Sequence, residues 1–115
     1  MIKIDDLKEI LFEGSEIIKK HFYKDTEVNY KSDNSPVTIA DIETNNFLKS
    51  RLNKLLPVAG WLSEEDKDND ERFSKEYLWV VDPLDGTREF TEKNPEMAIS
   101  IALVKDNKPI LGAII

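Results

Sequence analysis

Two aspartates three residues apart, Asp82 and Asp85, close an apolar run of buried-strand character, Tyr77-Leu78-Trp79-Val80-Val81. Strand ends are where open sheets present ligands to solvent. Pro83 between them is expected to stop the strand and fix a turn, so that both carboxylates aim at one point. Two carboxylates at one point repel unless a hard cation sits between them. The chain has no cysteine and one histidine, and oxygen-only ligation favours Mg²⁺, Mn²⁺ or Ca²⁺ over zinc. Next, Gly86 lets the backbone approach a bound group closely and Thr87 offers a hydroxyl. A helix starting there would point free N–H groups at an anion, a recurring way to hold a phosphate. The same residues also suit a type I turn headed by an aspartate, with a Thr-capped helix after it.

Other acids admit two accounts as well. Glu64 and Glu65 follow the apolar stretch Val58-Ala59-Gly60-Trp61-Leu62, but acids continue through Glu71, and by composition alone a solvated loop explains them. Asp41 ends Thr38-Ile39-Ala40-Asp41, a capping-box pattern with aspartate in place of glutamate, and taken alone it is structural. His21 reads as a partner of a helix dipole rather than a catalyst.

The elements that must position these residues follow from periodicity. Apolar spacings of three and four, interrupted at Gly14, predict an amphipathic helix over 4–23. Residues 27–31 alternate as a short strand, and Ser32-Asp33-Asn34-Ser35-Pro36 is a turn cluster. A second helix is expected over 39–56, with Ala40, Phe47, Leu48, Leu52 and Leu55 on one side and Pro57 as its stop. Strands are expected at 58–62 and 77–81, with a charged surface loop over 66–74 between them. Met97–Val104 and Pro109–Ile115 flank Lys105-Asp106-Asn107-Lys108 as an antiparallel hairpin.

The 115 residues suffice for one domain, and 40% hydrophobic with 34% charged residues is ordinary for a globular chain. Net charge is −7, which argues against nucleic acid or an anionic membrane as partner. An apolar signal core and a membrane-length apolar run are both lacking, so a cytoplasmic location is the default.

Three ordered segments, Asn34-Ser35-Pro36-Val37-Thr38-Ile39-Ala40-Asp41, Leu62-Ser63-Glu64-Glu65-Asp66 and Trp79-Val80-Val81-Asp82-Pro83-Leu84-Asp85-Gly86-Thr87, closely resemble motifs of the lithium-sensitive, Mg²⁺-dependent phosphatase superfamily. That superfamily includes inositol monophosphatases, bisphosphate nucleotidases and fructose-1,6-bisphosphatases. Ser-Glu-Glu-Asp at 63–66 and Arg88-Glu89-Phe90 look like the 3'(2'),5'-bisphosphate nucleotidase branch. The resemblance implies an α+β fold of layered helices on a mostly antiparallel sheet, with residues 1–115 as its amino-terminal metal-binding domain.

It also implies roles. Glu64 and Asp82, with the Leu84 carbonyl, would bind a first Mg²⁺. Asp82 would bridge to a second held also by Asp85, with two or three ions in the family and Mn²⁺ as a substitute. Gly86 and Thr87 would cradle the phosphate, and Asp41, paired with the Thr87 hydroxyl, would orient or deprotonate the attacking water. The implied substrate is a phosphorylated small molecule, the 3'-phosphate of adenosine 3',5'-bisphosphate. Inositol monophosphatase activity and a non-catalytic metal-binding remnant are the alternatives. Family members are more than twice as long and place a further aspartate ligand in their later half. The carboxy-terminal domain is therefore expected to be absent, with weak or no activity alone and self-association through the exposed hairpin.

Overall fold

In the computed structural model, residues 3–22, 28–30, 36–63, 65–66, 75–85, 98–106 and 108–114 are described. Helix α1 spans Ile4–Phe22, β1 Val28–Tyr30, β2 Pro36–Thr38 and α2 Ile39–Leu55. Strands β3 Gly60–Ser63, β4 Tyr77–Asp85, β5 Ala98–Lys105 and β6 Lys108–Ile114 follow. The larger sheet has order β3-β4-β5-β6. Its β3–β4 pair is parallel and the other two pairs are antiparallel, so the expected mostly antiparallel sheet is present. Strands β1 and β2 form a separate antiparallel pair.

The core lies where the two helices cover this sheet. Trp79 and Val81 on β4 and Ile99, Ile101 and Leu103 on β5 alternate at the period of a strand, and all are buried. They meet Leu7, Ile10, Leu11 and Ile18 of α1 and Ala40, Leu48 and Leu52 of α2. Gly14 marks a close approach: a Cβ there would lie 3.1 Å from Ile99 Cδ1 and 3.5 Å from Leu48 Cδ2. The helices are also joined at their surfaces by Arg51–Glu13 and by Glu43, which pairs with Lys20 at 2.8 Å and with His21. His21 thus has a carboxylate partner across the helix pair, beyond the dipole role expected of it.

Several expectations need correction. Pro83 does not stop β4, which continues to Asp85. Asp82 pairs with Ser100 and Asp85 with Ala98, so three steps on β4 oppose two on β5. A bulge of this kind needs no N–H from its extra residue, which is where a strand tolerates proline. Among the described residues the β3 ladder reaches only to Val81. Pro36, expected in a turn, opens β2, and the first position of a strand is another that proline can hold. The third strand begins at Gly60, because Val58 and the residue before it turn the chain out of α2 and Val58 is exposed. Helix α2 ends at Leu55, one residue early, with Leu56 N–H bonded to the Leu52 carbonyl at 3.0 Å. The expected turn at 32–35, most of the charged loop, Met97 and Ile115 lie outside the described residues.

Candidate active site

Asp41 is the third residue of α2 and is almost wholly buried. Thr38 caps the helix in an extended conformation (φ −123°, ψ 169°) and accepts from Asp41 N–H at 3.4 Å. In return, Thr38 N–H and Thr38 Oγ1 both donate to Asp41 Oδ2, at 2.8 and 2.6 Å. The capping box predicted from Thr38-Ile39-Ala40-Asp41 is therefore formed, and it holds the carboxylate in one orientation.

Four residues on, one turn along the same face, Asn45 is 2% exposed. Its Nδ2 donates to Asp66 Oδ2 at 2.9 Å, and its Oδ1 accepts from Ser63 Oγ at 2.6 Å. Ser63 Oγ accepts in turn from Glu65 N–H at 3.3 Å, and Trp61 Nε1 donates to Asp66 Oδ2 at 2.6 Å. Lys49 Nζ stands 3.9 Å from the same oxygen. The turn after β3 is thus tied to α2 from both sides. Asp66, expected at the start of a solvated loop, is the hub of this network.

Strand β4 carries the paired aspartates. Asp82 is half-buried, while Pro83 and Leu84 are both buried, a breach of strand alternation that follows from the bulge. Through that bulge the Asp82 and Asp85 positions oppose β5 residues two apart, which share one face of β5. Ser63, immediately before Glu64, pairs in parallel with Val81, immediately before Asp82. Glu64, Gly86 and Thr87 lie outside the described residues, and Asp85 is described by its backbone. Among the described residues no three of His, Cys, Asp and Glu gather closely enough to hold a metal ion. The donor types still suit a hard divalent cation: carboxylates and a backbone carbonyl, with the one histidine engaged by Glu43.

The model of the inositol monophosphatase family matches residues 3–115. The chain belongs to the inositol monophosphatase family. Within it, the chain is 46% identical over 92 residues to the 3'(2'),5'-bisphosphate nucleotidase CysQ of Escherichia coli (strain K12), an alignment covering 79% of this chain and 37% of the relative. It is 35% identical over 113 residues to the protein of the same name from Aggregatibacter actinomycetemcomitans, covering 96% and 42%. Among solved structures, CysQ from Bacteroides thetaiotaomicron matches with TM-score 0.74 and 36% identity over 91% of this chain and 38% of that one. The IMPase of Thermotoga maritima matches with TM-score 0.86 and 25% identity over 96% and 42%. The chain therefore spans about two-fifths of the length of the curated relatives it matches. No helix among the described residues is long and apolar enough to cross a membrane.

Sequence reasoning did not single out Asn45, Ser63 or Asp66 as parts of one network. One signal was available: Asp41, Thr44 and Asn45 are polar at helical spacing on the face that also carries Ala40, Leu48 and Leu52.

Proposed function

We propose that this chain supplies the metal- and phosphate-binding part of a Mg²⁺-dependent phosphomonoesterase acting on the 3'-phosphate of adenosine 3',5'-bisphosphate. The observation that carries the proposal is the register Ser63↔Val81, by which two acidic motifs begin at the same level, one residue beyond a paired position of neighbouring parallel strands. In this scheme Glu64, Asp82 and the Leu84 carbonyl would hold one ion, and Asp82 with Asp85 would hold a second. Bound divalent ions neutralise the phosphate oxygens, activate water and stabilise charge on the leaving oxygen.

The chain's own residues do the rest. Gly86 and Thr87 bind the phosphate, and Asp41 orients the attacking water and accepts its proton. As the water oxygen bonds to phosphorus, the P–O3' bond breaks; the released oxygen takes a proton from solvent, giving inorganic phosphate and adenosine 5'-monophosphate. The capping box prepares Asp41 for this, because two donors from Thr38 fix its carboxylate before substrate arrives.

The choice of a nucleotide over an inositol phosphate is supported by the CysQ relatives, which are named bisphosphate nucleotidases. A cytoplasmic location goes with it, as does self-association through β6, whose residues Lys108 to Ile110 are exposed. Because the relatives are more than twice as long, turnover by these 115 residues alone is expected to be weak. Phosphate release in Mg²⁺ should nonetheless be faster from adenosine 3',5'-bisphosphate than from inositol 1-phosphate. Equal rates would remove the nucleotidase assignment, and no release with saturable Mg²⁺ binding would favour a non-catalytic remnant.

A further inference from the structure

The hydrogen-bond directions around Asn45 are fully determined. A carboxylate only accepts, so Asn45 must turn its amide nitrogen to Asp66 and its oxygen to Ser63. Ser63 Oγ, already accepting from Glu65 N–H, spends its one proton on that oxygen. The path from Glu65 through Ser63 and Asn45 to Asp66 closes a ring, because Glu65 and Asp66 are adjacent in the chain. Asn45 and Ser63 are buried, and Trp61 adds a further donor to Asp66. Charge-assisted and mutually oriented bonds of this kind are the stronger ones. The ring grips the residues on both sides of Glu64 and anchors them to the helix that carries Asp41.

From this we infer that Asn45 and Asp66 are positioning residues, which set the divalent-metal affinity of the site by fixing the turn that contains Glu64. The inference rests on the phosphatase assignment for its metal and goes beyond it in naming what holds the ligand in place. Helix α2 then serves both halves of the chemistry. Its first turn orients the water-activating carboxylate, and its second orients the turn that bears a metal ligand.

Charge exchange between the two positions tests this. Asn45→Asp sets two carboxylates against each other and should release the turn. In Asn45→Asp with Asp66→Asn, an amide at 66 donates to a carboxylate at 45, which still accepts from Ser63; Trp61 Nε1, which shares the Asp66 oxygen with Asn45, loses its acceptor, so the ring is restored without that outer bond. Asn45 bonds the residues around Glu64 and not Glu64 itself; loss of groups that orient a metal ligand from outside typically weakens metal binding by about 10- to 100-fold. Mg²⁺ titration by calorimetry should show a loss of that size in Asn45→Asp and a partial recovery in the double variant, which lacks the Trp61 bond. Hydrogen exchange at the Glu65 amide, measured without metal, should accelerate in the single variant and slow again in the double.

Unchanged Mg²⁺ affinity and unchanged exchange in Asn45→Asp would overturn the inference while leaving the metal site standing. So would a loss that the exchange fails to reverse even in part in a folded double variant. Should the double variant not fold, Trp61→Phe decides in its place: weaker Mg²⁺ binding supports the inference, and unchanged affinity overturns it. A wild-type chain without saturable Mg²⁺ binding would overturn the phosphatase assignment itself, and this inference with it.

Discussion

Helices α1 and α2 are nearly equal in length, 19 and 17 residues, and share one core, yet they bury different chemistry. The buried residues of α1 are Leu7, Ile10, Leu11, Gly14 and Ile18, all apolar. Those of α2 are Ala40, Asp41, Thr44, Asn45, Leu48 and Leu52, so its first two turns carry polar groups into the interior. An unpaired polar group buried in this way costs about 1–3 kcal/mol. Asp41 and Asn45 escape that cost through Thr38, Ser63 and Asp66, and the same bonds fix them in place. One helix is scaffold throughout. The other is scaffold in its second half and gives up apolar contact in its first for oriented groups.

The sharpest separation is expected at Asp41. As a hypothesis, Asp41→Asn removes the proton acceptor yet leaves a side chain able to cap. Phosphate release from adenosine 3',5'-bisphosphate should fall by about 10²-fold or more. Stability in urea should change by no more than ~1 kcal/mol, within the range of a helix cap. A large stability loss with proportionate activity loss would make Asp41 purely structural.

Core truncation should do the reverse. Leu48→Ala on α2 and Ile10→Ala on α1 each remove a buried aliphatic side chain, and each should cost about 2–5 kcal/mol. If Leu48→Ala costs far less than Ile10→Ala in urea unfolding, the second half of α2 is not the scaffold described above.

A smaller effect is expected where the helices meet at the surface. Hydrogen bonds from Lys20, then from His21, hold the Glu43 carboxyl below its ordinary value of 4.5. A lowered folded pKa means stability that is present above the unfolded value and lost as pH falls through the folded one. Glu43→Gln should therefore cost under ~1 kcal/mol at pH 7, since the pair is partly exposed. The difference from wild type should shrink as pH drops below about 4.5 in denaturation curves. A difference that grew on acidification would contradict the assigned pairing.

Least of all should follow from Thr44→Val. The Thr44 hydroxyl is wholly buried and has no hydrogen-bond partner among the described residues. Replacing it with a methyl group should leave stability unchanged or raise it by up to ~1 kcal/mol. A clear loss in thermal melts would show that this hydroxyl belongs with Asp41 and Asn45 as a paired group.

Helix α1 was readable from its sequence because a stripe of Leu and Ile at spacings of three and four has no competing explanation. The start of α2 was readable from its Thr38–Asp41 box, and its stop from Pro57. The polar network on α2 was not, because Asn45 and Asp66 are 21 residues apart and neither position signals the other. Asp66 looked like the first of many loop acids. At Pro83 the residue rule was sound and its conclusion wrong: proline leaves a regular ladder, but the bulge is visible only through the β5 register. The motif order carried the family, whereas the convergence of Glu64, Asp85, Gly86 and Thr87 with Asp82 stands as a proposal.

Melting temperature against Mg²⁺ tests the central claim most directly. A ligand that binds only the folded chain stabilises it by about 2.7 kcal/mol at a hundred times its Kd. The account predicts that Mg²⁺ raises the melting temperature of wild type and of Glu71→Gln alike, and that Asp82→Asn abolishes most of the gain. Equal loss in Asp82→Asn and Glu71→Gln, or a gain that survives Asp82→Asn, would mean diffuse screening of an acidic chain and contradict a metal site at the end of β4.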